Sequence, residues 1–141
     1  VAMLLCHPEN EITSMLKIAY LCTDGKITVG VGRNVDDDGG LGLSISEIEF
    51  LLANDIERCR LELEAFSWFS DLDSVRQDAL INMCFNLGMT RLLGFKNALA
   101  RMAEANYEHA AVEFLDSLWA AQVGNRADEV AEMIRTGRYP E

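Results

Sequence analysis

The sequence predicts a small α+β protein, with a β-hairpin lobe near the front and a mostly helical lobe, built on a central buried helix, behind it. Three observations carry this. The stretch Lys26–Gly32 alternates β-branched residues after a Thr23-Asp24-Gly25 turn, which reads as a hairpin strand. From residue 46 onward apolar positions recur at helical spacing. One of those helices, 74–87, is apolar on most sides, which predicts a place at the centre of the fold. Strands and helices are segregated along the chain rather than alternating, which is the α+β pattern. With 141 residues, 50% of them apolar, the chain has material for one core. A single domain over 1–141 is expected, with a front segment and hairpin at 1–45, a connecting helix at 46–64 and a helical lobe at 65–141.

Taken in order, Ile12, Met15, Leu16 and Ala19 fall at i, i+3, i+4 and i+7, so the spacing predicts a helix over 12–20, with Pro8 suited to its first turn. The hairpin strand follows. Residues 34–43, with Asp36-Asp37-Asp38 and several glycines, form an open polar loop. Ser46 stands three residues before Glu49, at capping-box spacing, and Ile48, Leu51, Leu52, Ile56, Cys59 and Leu63 continue one apolar stripe, so a long amphipathic helix is predicted over 47–64. Residues 65–72, with Trp68 and Phe69, make a connector. Asp73 caps the helix 74–87, which Gly88 ends. Shorter helices are predicted near 91–104, 107–119 and 126–135, the last capped by Asn125 and closed by Gly137.

The formal net charge is −11. Residues 1–64 hold 12 acids and 5 bases, and residues 65–141 hold 11 and 7, so both halves are acidic. Such a surface repels phosphate backbones, which argues against nucleic acid as a partner. No apolar run is long enough for a membrane span. The opening Val1–Cys6 run is short and has no basic residues before it, so no signal peptide is expected, and a start without Met suggests a trimmed first segment. Cys6, Cys22, Cys59 and Cys84 have neither CxxC spacing nor a nearby His pair, so no metal site, no cofactor and no obligatory disulfide are expected. Cys59 and Cys84 fall on apolar helix faces, where a buried free thiol is the simplest reading.

From Gly25 to Arg138, about four-fifths of the chain, the sequence resembles the phage-type lysozymes of glycoside hydrolase family 24. The resemblance rests on Gly25-Lys-Ile-Thr-Val-Gly-Val-Gly-Arg-Asn34, Ser46 with Asn54-Asp-Ile56, and Leu72-Asp-Ser-Val-Arg-Gln77. It continues through Ala79-Leu-Ile-Asn-Met83, Phe85-Asn-Leu-Gly88, Gly94-Phe95, Trp119 with Gln122, Asn125-Arg-Ala127 and Arg135-Thr-Gly137. It implies a lysozyme-like fold and cleavage of the β-1,4 bond between N-acetylmuramic acid and N-acetylglucosamine. The family fingerprint is a Glu, eight residues, an Asp or Cys, five residues, then a Thr. The chemistry needs a protonated acid for the leaving oxygen and, on the opposite face, a group that activates water or steadies oxocarbenium charge.

Cys22 and Thr28 have the second spacing, in the cysteine variant, but Thr13 stands where the acid belongs. Threonine cannot protonate a glycosidic oxygen near neutral pH, and three readings stay open. Extra residues before Leu16 can have displaced the acid, with His7 and Glu9 resembling the family's His-Glu pair, and then Glu9 or Glu11 serves. Pro8 and the helical spacing of 12–20, however, put both glutamates in a first turn, where acids also sit for dipole reasons. Alternatively the chain is a catalytically inactive lysozyme-fold protein that binds a glycan or a protein. A third reading, an altered front segment, leaves function open.

The resemblance further places Asn86 and Trp119 at the cleft floor as substrate contacts, and Arg126 where the family's arginine pairs with the catalytic Glu. Read from the residues alone, Asn86 is a helix-end amide, Trp119 a core aromatic and Arg126 a solvated first-turn residue. Arg33 is expected in a structural ion pair, His109 at the surface, and Leu118 stands where lytic members often carry a base. The expected partners are peptidoglycan or its fragments, with a protein partner under the inactive reading, and the chain is expected to be a monomer. Family context implies a phage or prophage product made in a bacterial cytoplasm, with export to the periplasm or incorporation in a virion both open. A purely structural virion role has no sequence feature for or against it.

Overall fold

The computed structural model describes residues 17–141. The chain divides into two compact units, Val1–Leu51 and Leu52–Glu141, and the division falls within the helix α1 (Ile45–Leu63).

The first unit holds a three-stranded antiparallel sheet in sequential order: β1 (Tyr20–Leu21), β2 (Ile27–Val29) and β3 (Arg33–Asn34). Tyr20 pairs with Thr28 and Leu21 with Ile27, then Thr28 with Asn34 and Val29 with Arg33. The turn from β1 to β2 closes where Gly25 N–H donates to Cys22 O at 2.9 Å. Gly25 has φ 74°, a conformation in which a Cβ would be strained. The hairpin expected from the Thr23-Asp24-Gly25 turn is therefore present. The predicted helix over 12–20 is not helical in its described part: Lys17–Ala19 are irregular and Tyr20–Leu21 is strand. Pairing with β2 and a hydrogen bond from Tyr20 Oη to Gly30 O at 2.8 Å outweigh the apolar periodicity there. The remainder of that prediction lies outside the described residues.

The cap of α1 lies two residues ahead of the predicted one. Ser44, not Ser46, is the capping residue: Glu47 N–H donates to Ser44 Oγ at 3.2 Å and Ser44 N–H donates to Glu47 Oε1 at 3.0 Å. Both Ser–Glu pairs satisfy the motif. The Ser44–Glu47 pair prevails because Glu47 is also held by Arg33. Of the predicted stripe, Cys59 and Leu63 are buried, whereas Ile48, Leu51, Leu52 and Ile56 are exposed.

In the second unit a 3₁₀ turn (Phe69–Asp71) leads to α2 (Ser74–Leu87), capped by Asp73, which accepts from Arg76 N–H. α2 puts Ala79, Leu80, Met83 and Cys84 into the core and turns Asp78, Asn82, Phe85 and Asn86 outward. The predicted helix near 91–104 is two: α3 (Met89–Leu92) and α4 (Lys96–Ala103), separated by a turn through Gly94. The one predicted over 107–119 ends early as α5 (Tyr107–Leu115). Ser117, accepting from Ala120 N–H, then starts α6 (Leu118–Val123). α7 (Asn125–Thr136) begins after Gly124, with Asn125 inside the helix rather than capping it, and Gly137 ends it in the left-handed region as expected. Leu63, Leu80, Met83, Leu92, Phe114 and Ile134 are fully buried in this core. Phe95 lies against both Phe114 and Trp119, at centroid distances of 5.6 and 6.2 Å.

Candidate active site

The spacing that singled out Cys22 and Thr28 has a direct structural meaning. Cys22 follows the last residue of β1, and Thr28 is the middle residue of β2, paired with Tyr20. One carbonyl links them. Lys26 O accepts from Cys22 N–H at 3.0 Å and from Thr28 Oγ1 at 2.9 Å. The Cys22 thiol is half-exposed and is held below its ordinary pKa, first by the backbone N–H of Lys26, then by that of Asp24, with a smaller contribution from the Thr28 side chain. Partial burial and the charge of Asp24 oppose this without reversing it. Donors aimed at the sulfur favour the charged form, and the thiolate is the form that acts as base or nucleophile. Thr28 is 2% exposed, and its hydroxyl donates to Lys26 O.

Arg33 forms an ion pair, as expected of it, and the partner, Glu47, ties β3 to α1. Arg33 Nη1 donates to both oxygens of Glu47, at 2.9 and 2.7 Å, and to Gly42 O at 3.2 Å. That guanidinium, together with the N–H and hydroxyl of Ser44, brings the Glu47 carboxyl down to about 2.

In the helical unit Asn86 and Arg126 come together. Arg126 Nη1 donates to Asn86 Oδ1 at 2.8 Å, and Asn86 Nδ2 donates back to Asn82 O at 2.7 Å and to Asn82 Oδ1 at 3.0 Å. Both side chains are exposed and line a groove of about 440 Å³ with Leu52, Ile56, Ile81 and Phe85. Trp119 is not in that groove. It is 4% exposed and borders a separate hollow of about 370 Å³ with Phe95, Lys96 and Asp116, and its Nε1 has no hydrogen-bond partner among the described residues. The floor expected from Asn86 and Trp119 thus resolves into two places, and Arg126 lies with Asn86.

His109 is exposed and bonds locally to Asn106, as expected of a surface residue. Cys59 and Cys84 are buried free thiols, and burial, with Cys59 as a hydrogen-bonding neighbour, pushes Cys84 up to about 12. Among the described residues no group of three or more His, Cys, Asp or Glu side chains could hold a metal, and no helix is long and apolar enough to cross a membrane. His7, Glu9, Glu11 and Thr13 lie outside the described residues. Two residues of the site neighbourhood were not singled out from sequence: Asn82, which orients Asn86, and Asp36, which bonds to the strand carrying Thr28. Asn82 stands four before Asn86, a spacing that was available; the Asp36 contact had no local signal.

A hairpin unit bearing a thiol–hydroxyl pair, and a helical unit bearing an amide–guanidinium pair, define a lysozyme-like α+β protein. The phage lysozyme family model matches residues 10–135. The "Probable T4-type lysozyme 1" of Dictyostelium discoideum is 32% identical over 161 aligned positions, covering 95% of this chain and 92% of the relative. "Probable T4-type lysozyme 2" of the same organism is 30% identical, covering 98% and 95%. The pre-baseplate central spike protein Gp5 of Enterobacteria phage T4 is 30% identical over 76% of this chain, which corresponds to 19% of that protein. The chain belongs to the phage lysozyme family.

Proposed function

We infer that this protein is a peptidoglycan muramidase that hydrolyses the β-1,4 bond after N-acetylmuramic acid. In this reading Glu9 or Glu11 is the general acid, Cys22 the second group, and Thr28 orients water or sugar, with Asn86 and Arg126 assisting. The observation that carries it is the Cys22–Thr28 hairpin. The Cys22 backbone N–H and the Thr28 hydroxyl share one carbonyl, and backbone N–H groups hold the thiol below its ordinary pKa. A thiolate opposite a protonated carboxyl would complete the pair of groups that glycoside hydrolysis requires. Trp119, an expected substrate contact, borders the second hollow rather than the Asn86–Arg126 groove, so we assign it no step. Origin in a phage or prophage, with synthesis in a bacterial cytoplasm, is part of the same reading.

The test is release of reducing ends from purified peptidoglycan. Cleavage that falls at least a hundredfold in Glu9→Gln or in Glu11→Gln, in line with the ~10²–10⁴-fold contribution of a positioned acid, supports the assignment. A chain that cleaves equally well in both variants, or not at all before mutation, overturns it. One observation favours a second reading. Thr13 occupies the fingerprint position of the acid, and a family member without a replacement acid would bind glycan without turnover. The similarity to a segment of a spike protein gives that reading a setting within a particle, with protein partners. Retention of peptidoglycan fragments with no release of reducing ends is its signature.

A further inference from the structure

We propose that Asp36 is a positioning residue for the Cys22–Thr28 pair, fixing the one peptide group on which both depend. The group is the Lys26–Ile27 peptide. Its carbonyl accepts from Cys22 N–H at 3.0 Å and from Thr28 Oγ1 at 2.9 Å, and its N–H donates to Asp36 Oδ2 at 2.9 Å. A trans peptide is planar, with N–H and C=O pointing in opposite directions, so a carboxylate gripping the N–H sets where the carbonyl points on the far side. A charged acceptor also polarises that unit and strengthens what its carbonyl receives.

Asp36 is itself braced. It is half-buried, its Oδ1 accepts from Asp38 N–H at 3.0 Å, and its own N–H donates to Asn34 Oδ1 at 2.9 Å. Val35 N–H donates to Ile27 O at 2.9 Å, so Ile27 is held at both backbone groups, once by main chain and once by this side chain. Asp36 therefore does for β2 what a further residue of β3 would do, but with a carboxylate. The short strand β3 ends at Asn34, and beyond it the Ile27 N–H is taken by the Asp36 carboxylate.

The inference rests on Cys22 and Thr28 being the second half of the site, yet its test reads the hairpin alone. Among the described residues, the charged residues next to Cys22 are Asp24 in its own turn and Lys26, whose carbonyl accepts from the Cys22 N–H. Lys26 Nζ pairs with Asp38 Oδ2 at 2.5 Å, and Asp37 is exposed beside it. The rate of Cys22 alkylation by iodoacetamide is measured against pH, with the labelled peptide identified by mass spectrometry, for the full chain and for Asp36→Ala and Asp36→Asn. Loss of the carboxylate charge alone would lower the midpoint in both variants, because a nearby negative charge disfavours thiolate. Loss of the grip on the peptide acts the other way. The expected result is a midpoint that rises toward the free-thiol value of about 8.5 in Asp36→Ala but not in Asp36→Asn, whose amide oxygen can still accept from Ile27. Should Asp36→Ala not fold, Asp36→Ser, whose hydroxyl is too short to reach, takes its place under the same criteria. A folded Ala or Ser variant with a midpoint unchanged or lowered overturns the proposal, as does an equal rise in Asn. None of these outcomes depends on whether the chain cleaves peptidoglycan.

Discussion

Replacing Arg76 by Met should weaken the helical unit by about 3 kcal/mol, and the number can be built from its contacts. The Arg76 side chain is 15% exposed. Nε donates to Ile134 O at 2.6 Å and Nη2 to Arg135 O at 3.1 Å, both among the last carbonyls of α7, which have no partner within the helix. Two charge-assisted hydrogen bonds at ~1.5–3 kcal/mol each give about 3–6 kcal/mol. The guanidinium lies 3.8 Å from the centroid of Tyr107, worth ~0.5–2 kcal/mol. The pair with Asp73, at 2.8 Å but 40% exposed on the acid, adds about 0.5 kcal/mol at most. Against this, Met keeps its stem against Tyr107, and the guanidinium no longer has to be desolvated, which returns about 1–2 kcal/mol. A net loss of about 3 kcal/mol corresponds to a fall in Tm of roughly 6–12 °C for a chain of this size. Thermal and urea melts followed by far-UV circular dichroism measure it, and Arg76→Lys should fall between wild type and Met because an ammonium cannot fork to two carbonyls. A Met variant within about 0.5 kcal/mol of wild type would refute the reasoning, since surface substitutions without structural consequence fall in that range.

Two further outcomes are expected. Glu47 takes up its proton near 2 in the fold and near 4.5 when free, so the unfolded chain protonates first. The stabilisation from its Arg33 pair is then whole above about pH 4.5 and lost progressively down to about pH 2. Melts of Glu47→Gln across that range should therefore lie furthest below wild type at neutral pH and converge with it in acid, and a gap that widens toward low pH would contradict this. Thr13→Glu should raise or create lytic activity on peptidoglycan, because it restores an acid at fingerprint spacing beside an unchanged Cys22–Thr28 hairpin. A folded but lytically unchanged variant would show that residue 13 does not occupy the family's acid position.

What could be read from the sequence depended on how local the deciding interaction was. The bounds of α2 were legible because Asp73 and Gly88, its two punctuating residues, act within a turn of the helix ends. The hairpin was legible because Gly25 must turn and β-branched residues flank it. The cap of α1 was misplaced because Ser44-x-x-Glu47 and Ser46-x-x-Glu49 are equal as patterns, and the choice between them is made by Arg33, fourteen residues before Glu47. Tyr20–Leu21 is strand only because β2 supplies partners, which no helical count within 12–20 contains. In the site, Cys22 and Thr28 were found through their spacing and the family resemblance. Asp36 was merged into a polar loop because its bond to Ile27 spans nine residues and leaves no pattern.

The four cysteines bear on the muramidase reading through a contrast between two of them. Cys84 sits 2% exposed in the core, next to Cys59, and burial drives its thiol to about 12, so it is inert at any working pH. Cys22 is half-exposed and is pulled the other way by backbone N–H groups of Lys26 and Asp24. Whether Cys22 ionises in the working range and which front glutamate supplies a proton are separate questions, read by alkylation of Cys22 against pH and by release of reducing ends from peptidoglycan.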